Sequence, residues 1–201
     1  MKQELLAIMN SLDGRETVSP LLPKRIWDEA LDSRIAALTQ DGFPAETTVI
    51  ALMAGLHLRN DSLDRSHAFA QEIEHDATGA YWHGIMHRME GDFYNSKYWF
   101  RQAGHHPAMK LTQTRVAEWL GGAAAQQAMS AVTDPDVRGT LLSFQSESGW
   151  EPSAFVDLIV WQERHASNEL RPLLEKLQDI ELRSLFEHTL AAAKPYWPEA
   201  Q

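Results

Sequence analysis

Residues 80–107 read AYWHGIMHRMEGDFYNSKYWFRQAGHHP, and this stretch decides the predicted fold. Gly91 stands where a helix is expected to end, because glycine adopts a positive φ without steric cost. Asp92 can then accept the free amides of a second helix, which Gly104 is expected to end. The stretch therefore predicts two short helices joined by a very tight loop, an antiparallel helical hairpin.

A second copy of this pattern lies thirty residues upstream. The offset pairs His57 with His87 and Ser66 with Ser96, and it keeps apolar positions apolar. The pairing of two histidines is hard to attribute to chance. We therefore predict two hairpin repeats, at about 47–74 and 80–103.

The hairpin resembles the tetratricopeptide repeat, in which large, small and aromatic residues recur at fixed spacing before a final proline. The positions that carry the resemblance are His83, Gly84, His87, Ser96, Phe100 and Pro107. The match is partial and covers about 47–107. It implies an all-α fold of stacked antiparallel helical hairpins, with an interaction surface on the concave side. We expect C-terminal helices to cap this stack.

A second resemblance is densest over residues 81–107. The Tyr-Trp-His, His-Arg, Gly-Asp, Asn and Tyr-Trp elements of this segment are similar to those of a group of bacterial and fungal proteins. That resemblance implies a shared fold and a focal site, and it implies no particular reaction.

The flanking sequence also favours helices. Residues 1–22 mix a short apolar piece with Asp-Gly and Ser-Pro, which predicts a flexible, loosely held N-terminal arm. Residues 23–201 are predicted to form a single helical domain, in which Gly121 and Gly122 join two helical pieces of a degenerate third hairpin. Strand-like alternation bounded by turns does not appear, so the predicted class is all-α.

Composition excludes several classes of function. The net charge of −10 and the lack of a basic stripe argue against a nucleic-acid partner. The chain has no cysteine, which excludes disulfides and thiolate zinc sites. Its N-terminus does not resemble a secretory signal, and no apolar run reaches the roughly 18 residues of a membrane span. These features predict a soluble cytoplasmic protein without a membrane partner.

Histidines form the first candidate site. His83, His87 and Glu90 stand at i, i+4 and i+7, within an arc of about 60° on one helix face. Two histidines one turn apart can ligate a divalent transition metal, and a carboxylate one turn further can be a third ligand. The repeat register also turns His57 toward a neighbouring helix. Because a buried imidazole without partners costs about 1–3 kcal/mol, packing partners, a polar ligand or a metal must satisfy these rings.

Arg88 marks the second candidate site. The repeat register predicts that it faces the concave surface beside Tyr81 and Ile85, where a guanidinium next to aromatic rings suits a carboxylate or phosphate. The alternative is a structural ion pair with Glu90, Asp92 or Asp61. The candidate ligand-binding residues are polar and aromatic side chains of the second hairpin and its end: Tyr81, His83, His87, Arg88, Asp92, Asn95, Tyr98 and His105.

Two functions follow from these sites. The first is a helical-repeat module that binds a peptide, a protein or a small acidic ligand through this pocket. The alternative is a metal-dependent or histidine acid–base enzyme centred on His83 and His87, with a divalent transition metal as cofactor. Convergence of His57, His83 and His87 would favour the enzyme, and separate hydrogen bonds would favour the module. Motifs for nucleophilic catalysis or phosphate binding are not found.

Overall fold

The protein is all-α in the computed structural model, which describes residues 2–40, 44–146 and 149–196. These residues form eleven α-helices and no strand. The helices are α1 Lys2–Asp13, α2 Glu29–Gln40, α3 Thr47–Arg59, α4 Leu63–Glu72, α5 Ala77–Glu90, α6 Phe93–Ala103, α7 Pro107–Leu120, α8 Ala123–Ala131, α9 Pro135–Gln145, α10 Pro152–His165 and α11 Leu170–Ala193. The predicted fold class is confirmed. None of these helices is both long and apolar enough to cross a lipid bilayer.

Helices α3 to α6 pair in sequence order, and their starts keep a thirty-residue offset. The first helices of the pairs, α3 and α5, begin at Thr47 and Ala77, and the second helices, α4 and α6, begin at Leu63 and Phe93. The α3–α4 and α5–α6 pairs pack closely, and α4 in turn packs on α5. The arrangement is consistent with stacked hairpins.

The loops of the two hairpins repeat as well. Asp61 and Gly91 both adopt positive φ, at 58° and 95°. The amide that follows each of them donates to a histidine carbonyl at 2.9 Å, and the two bonds are Ser62 to His57 and Asp92 to His87. The first hairpin therefore has the same turn as the second, although its positive-φ residue is Asp61 where the second hairpin has Gly91.

The helices of the second hairpin touch at Gly84. Ser96 donates its hydroxyl to the Gly84 carbonyl at 2.8 Å, and a Cβ at Gly84 would lie 2.6 Å from the Phe100 ring. The corresponding pair in the first hairpin is Ala54 and Ala70, both fully buried. The smaller residue at 70 leaves room for the methyl group at 54.

Replacing glycine by alanine should change the free energy of unfolding in opposite directions at Gly84, where this contact lies, and at an uncrowded glycine. Gly84→Ala is expected to lower the free energy of unfolding by about 1–2 kcal/mol, because overpacking outweighs the gain in helix propensity. Gly139→Ala on α9 is the matched control, since nothing lies within 4 Å of a Cβ there. It is expected to raise the free energy of unfolding by about 0.5–1 kcal/mol. Urea denaturation measures both, and equal effects of the two variants would refute the close contact.

The N-terminal segment differs from its prediction. Instead of a loose arm over 1–22, α1 packs on α2 with Leu5, Ile8 and Leu12 at most 2% exposed. Leu21 is also fully buried, in the second of two apolar clusters of the core. The prediction was wrong because the turn residues at Asp13 and Gly14 end a helix whose apolar face is already long enough to be buried.

Helix α11 covers the face that was predicted to be a concave interaction surface. It packs on α3 and α7, and its side chains form hydrogen bonds with Tyr81, Trp82 and Arg88 of α5. The first helices of successive hairpins therefore lie under one long helix. Any ligand site on the second hairpin has to lie on another side.

Candidate metal centre

Helix α5 holds the central histidines in a fixed position. Asp76 caps its N-terminus by accepting hydrogen bonds from the amides of Thr78 and Gly79, and Gly91 ends it. The helix is buried from Gly79 to Met89, because α3, α4 and α6 pack on it and side chains of α11 bond to it. Polar side chains on α5 are therefore desolvated unless a partner reaches them.

Three imidazoles converge between α4 and α5. His67 on α4 joins His83 and His87, and one nitrogen of each ring lies within 4.8 Å of the others. The ring centroids are 4.8 to 5.1 Å apart. A tetrahedral ion bound at about 2.0–2.1 Å separates its ligand nitrogens by roughly 3.4 Å. The nitrogens are thus farther apart than in a bound site. The side chains would have to rotate to hold an ion, because the His83 and His87 rings are stacked with only 13° between their planes.

His83 lies deepest in the cluster and is 2% exposed. Neither of its ring nitrogens has a hydrogen-bond partner among the described residues. Trp99 stacks on one side of the ring, with 4.1 Å between centroids, and His87 stacks on the other. Burial lowers the pKa of His83 to about 3, and repulsion from His87 and His67 adds to this shift. The ring is therefore neutral near pH 7, with a free lone pair.

His87 is oriented by a carboxylate. Its Nδ1 lies 3.3 Å from Oε2 of Glu90, and Nδ1 must donate because the ionised carboxylate only accepts. Its Nε2 then carries the lone pair. Burial lowers the pKa of His87, whereas Asp92 and Glu90 act in the opposite direction. Glu90 was predicted as a third ligand, and the structure places its carboxylate against Nδ1 of His87. In metal sites, carboxylates in this position commonly orient the histidine.

His57 lies outside the cluster, contrary to the convergence considered from the sequence. Its Nδ1 lies 2.7 Å from Oδ1 of Asp32, whose other oxygen pairs with Arg65 at 2.9 Å. Its ring stacks on Phe69, with 5.6 Å between centroids. His57 is thus held by packing and by one buried carboxylate.

Arg88 and Tyr81 are core residues, which corrects the predicted open face. Both are fully buried, as is Ile85. Arg88 pairs with Glu181 of α11 at 2.6 Å, and Tyr81 donates to the same carboxylate at 2.9 Å. Trp150 donates a third bond to it at 2.7 Å. An ion pair was considered for Arg88, but its actual partner comes from α11 rather than from Glu90, Asp92 or Asp61.

The remaining candidates do not form one site. Asp92 caps α6 and accepts from both the backbone and the side-chain amide of Asn95. Tyr98 is 41% exposed and packs edge-on against Trp99, next to the histidine cluster. His105 is exposed beyond the end of α6. The structure therefore brings His83, His87 and, through Trp99, Tyr98 into one neighbourhood, with Asp92 close enough to His87 to act on its pKa.

His67 and Trp99 are the functional candidates that the sequence analysis missed. The thirty-residue offset aligns His67 with Lys97, so the repeat pattern did not mark it. The position of His67 within the repeat could have identified it, because the second helix of one hairpin packs on the first helix of the next. A histidine on α4 can therefore reach the histidine face of α5.

Comparisons with known proteins give no assignment for this chain: no protein-family model, no curated protein and no solved structure matches it. The two family resemblances described from the sequence therefore stay predictions. The geometry of the histidine cluster is therefore the main indication of function.

The depressed histidine pKa values predict acid sensitivity. His83 and His106 have folded-state pKa values of about 3 and about 4, below the ordinary 6.5. Since protonation favours the unfolded chain, their contribution is fully present above 6.5 and is lost as the pH falls toward 4. The free energy of unfolding of metal-free protein should decrease by up to about 1.4 kcal/mol per pH unit for each histidine.

Urea midpoints at about pH 7 and about pH 5 measure this decrease. His83→Ala should show a smaller difference between the two conditions than the unmodified chain. His75→Ala is the matched control, because the side chain of His75 is 97% exposed. An unchanged pH dependence in His83→Ala would contradict a buried neutral ring.

Proposed function

We propose that this protein binds a divalent transition metal through His67, His83 and His87, at the seam between its first two hairpins. The observation that carries the proposal is the convergence of three imidazoles around His83. Both nitrogens of that ring are buried without partners among the described residues. Buried polar atoms in folded proteins are normally satisfied, and a metal ion would satisfy one of these nitrogens.

The donor set favours particular metals. Neutral imidazoles suit zinc, copper, nickel and cobalt, whereas magnesium and calcium require oxygen ligands. The low pKa values of His83 and His87 mean that little proton release opposes metal binding near pH 7. Glu90 fixes the tautomer of His87 that presents Nε2.

The number of ligands favours a reactive centre over a purely structural one. Structural zinc sites usually have four protein ligands, whereas catalytic sites have three and leave one position for water or substrate. His67 is half-buried, so the cluster is open to solvent on its α4 side. We therefore favour the metal-dependent function, with a small molecule reaching the fourth position.

Peptide binding at the surface predicted for it is less well supported. Tyr81, Ile85 and Arg88 lie beneath α11, so a peptide there would have to displace a helix that is part of the core. The tetratricopeptide-like class and the cytoplasmic location are retained as part of this proposal, and they rest on the sequence pattern.

Metal titration of chelator-treated protein tests the proposal. We expect one equivalent of Zn²⁺ or Co²⁺ to bind and to raise the melting temperature, because the ion joins α4 to α5 and binds only the folded chain. Bound Co²⁺ should show the intense visible absorption of a tetrahedral site. Cu²⁺ should quench the fluorescence of Trp99, and Trp99→Phe should abolish that share of the quenching. Failure to bind any of these ions would refute the proposal.

A further inference from the structure

A small polar cavity lies away from the histidine cluster, between the segment that follows α1, the end of α3 and the middle of α11. Its volume is about 160 Å³. Four cationic side chains line it: Arg15, Arg59, Lys176 and Arg183. Two carboxylates, those of Glu16 and Asp179, line it as well, so the cations outnumber the acids in the lining of a chain whose net charge is −10.

The two arginines nearest the interior are almost fully desolvated. The side chains of Arg15 and Arg59 are 9% and 7% exposed. Arg15 donates to Asp61 at 2.7 Å and to Ser19 at 2.9 Å. Its Nε is buried and has no acceptor among the described residues. A buried guanidinium donor of this kind is costly unless an oxygen reaches it.

The ion pairs around the cavity leave cationic groups available. Lys176 and Arg183 both donate to one carboxylate, that of Asp179, at 2.8 Å each. Arg59 pairs with Asp13 at 2.6 Å, and the side chain of Asp13 is 54% exposed, so it can move into solvent. Glu16, which also lines the cavity, is exposed. An incoming anion would therefore meet three cations, Arg59, Lys176 and Arg183, whose acidic partners are shared or exposed. The partner of Arg15, Asp61, is buried and stays in place.

An adjoining cavity supplies apolar surface. It has a volume of about 390 Å³ and shares Arg59, Lys176, Asp179 and Arg183 with the first. Its further lining includes the apolar side chains Met9, Phe186 and Leu190, together with the Arg115–Glu187 ion pair. A ligand could place an anionic group in the small cavity and an apolar body in the larger one.

From this geometry we infer that the paired cavities bind a small organic anion, an oxyanion group carried on an apolar body. Arg15, Arg59, Lys176 and Arg183 bind the oxyanion, and Phe186 and Leu190 contact the apolar part. The site is independent of the proposed metal centre, because none of its lining residues belongs to the histidine cluster. A small acidic ligand was expected from the sequence at Arg88, which is buried. The inference assigns this ligand to the solvent-accessible cavity.

Calorimetric titration of chelator-treated protein tests the inference with three probes: inorganic phosphate, phenyl phosphate and benzoate. We expect one site, with phenyl phosphate bound at least about tenfold more tightly than inorganic phosphate because the ring buries apolar surface. Tighter binding of phenyl phosphate than of benzoate would identify a phosphate ester as the ligand class, and the reverse order would identify a carboxylate. The absence of saturable binding of all three probes up to about 10 mM would overturn the inference.

Three variants distinguish specific binding in the cavity from nonspecific attraction of an anion to surface charge. Arg183→Gln should weaken phenyl phosphate binding about tenfold or more, since a charge-assisted hydrogen bond is lost. Asp13→Asn should strengthen it, because Arg59 loses a competing carboxylate, and a purely structural role would not produce that gain. Arg138→Gln is the matched control: Arg138 is exposed on α9 and lines neither cavity. Equal weakening by Arg183→Gln and Arg138→Gln would overturn the inference.

His83→Ala distinguishes this inference from the metal proposal. The variant should retain phenyl phosphate binding in the presence of chelator, whatever its effect on metal affinity. Loss of phenyl phosphate binding in folded His83→Ala would show that the anion had been bound at the histidine cluster, and it would overturn the assignment to the arginine cavity.

Discussion

His83→Ala is expected to lower the affinity for Zn²⁺ or Co²⁺ by more than about 100-fold. The reason is that loss of an outer-shell partner alone typically costs about 10–100-fold, and His83 would be a direct ligand. His67→Ala and His87→Ala should have effects of the same size, because all three rings converge on one point. Glu90→Gln should lower the metal affinity only about tenfold, since it weakens the orientation of His87 without removing a ligand.

The controls for this series come from the same chain. His75→Ala removes an exposed histidine and should leave metal affinity unchanged. His83→Ala should remain folded, because the lost ring makes no hydrogen bond within the described residues, and circular dichroism checks this. Unchanged affinity in His67→Ala alongside a large loss in His83→Ala would rule out the three-ligand centre.

Arg88→Met is expected to lower the free energy of unfolding by about 3–5 kcal/mol, because it leaves the Glu181 carboxylate buried without its counter-ion. Both side chains are fully buried, and Glu181 also accepts from Tyr81 and Trp150. Since whole proteins are stable by only about 5–15 kcal/mol, the variant should unfold at a much lower urea concentration than the unmodified chain.

A double-mutant cycle isolates the Arg88–Glu181 interaction. Arg88→Met combined with Glu181→Gln should be less destabilised than the sum of the single variants, because the glutamine keeps an acceptor for Tyr81 and carries no charge. Arg171→Gln is the surface control, because Arg171 lies on α11 like Glu181. Its pair with Glu163 is 39% and 33% exposed, so a change below about 1 kcal/mol is expected. Additive single effects would show that the two residues are not energetically coupled.

Part of the candidate site could be predicted because it depends on short-range spacing. Two histidines four residues apart on a helix must share a face, so His83 and His87 were identified together. The third member could not be found in this way, because His67 belongs to another helix and its position depends on how α4 rotates against α5. Glu90 also differs from its prediction, because its carboxylate lies 3.3 Å from Nδ1 of His87 and therefore orients that ring.

The sequence by itself determined the all-α class and the tight turns of the two hairpins. Capping by Asp92, the positive φ of Gly91 and the thirty-residue offset are local features, and they depend on groups only a few residues apart. Tertiary structure alone decided that α11 covers the expected groove and that Glu181 becomes the partner of Arg88. Those contacts join residues about ninety positions apart. They depend on how complete helices pack to remove apolar surface from water, which no local spacing records.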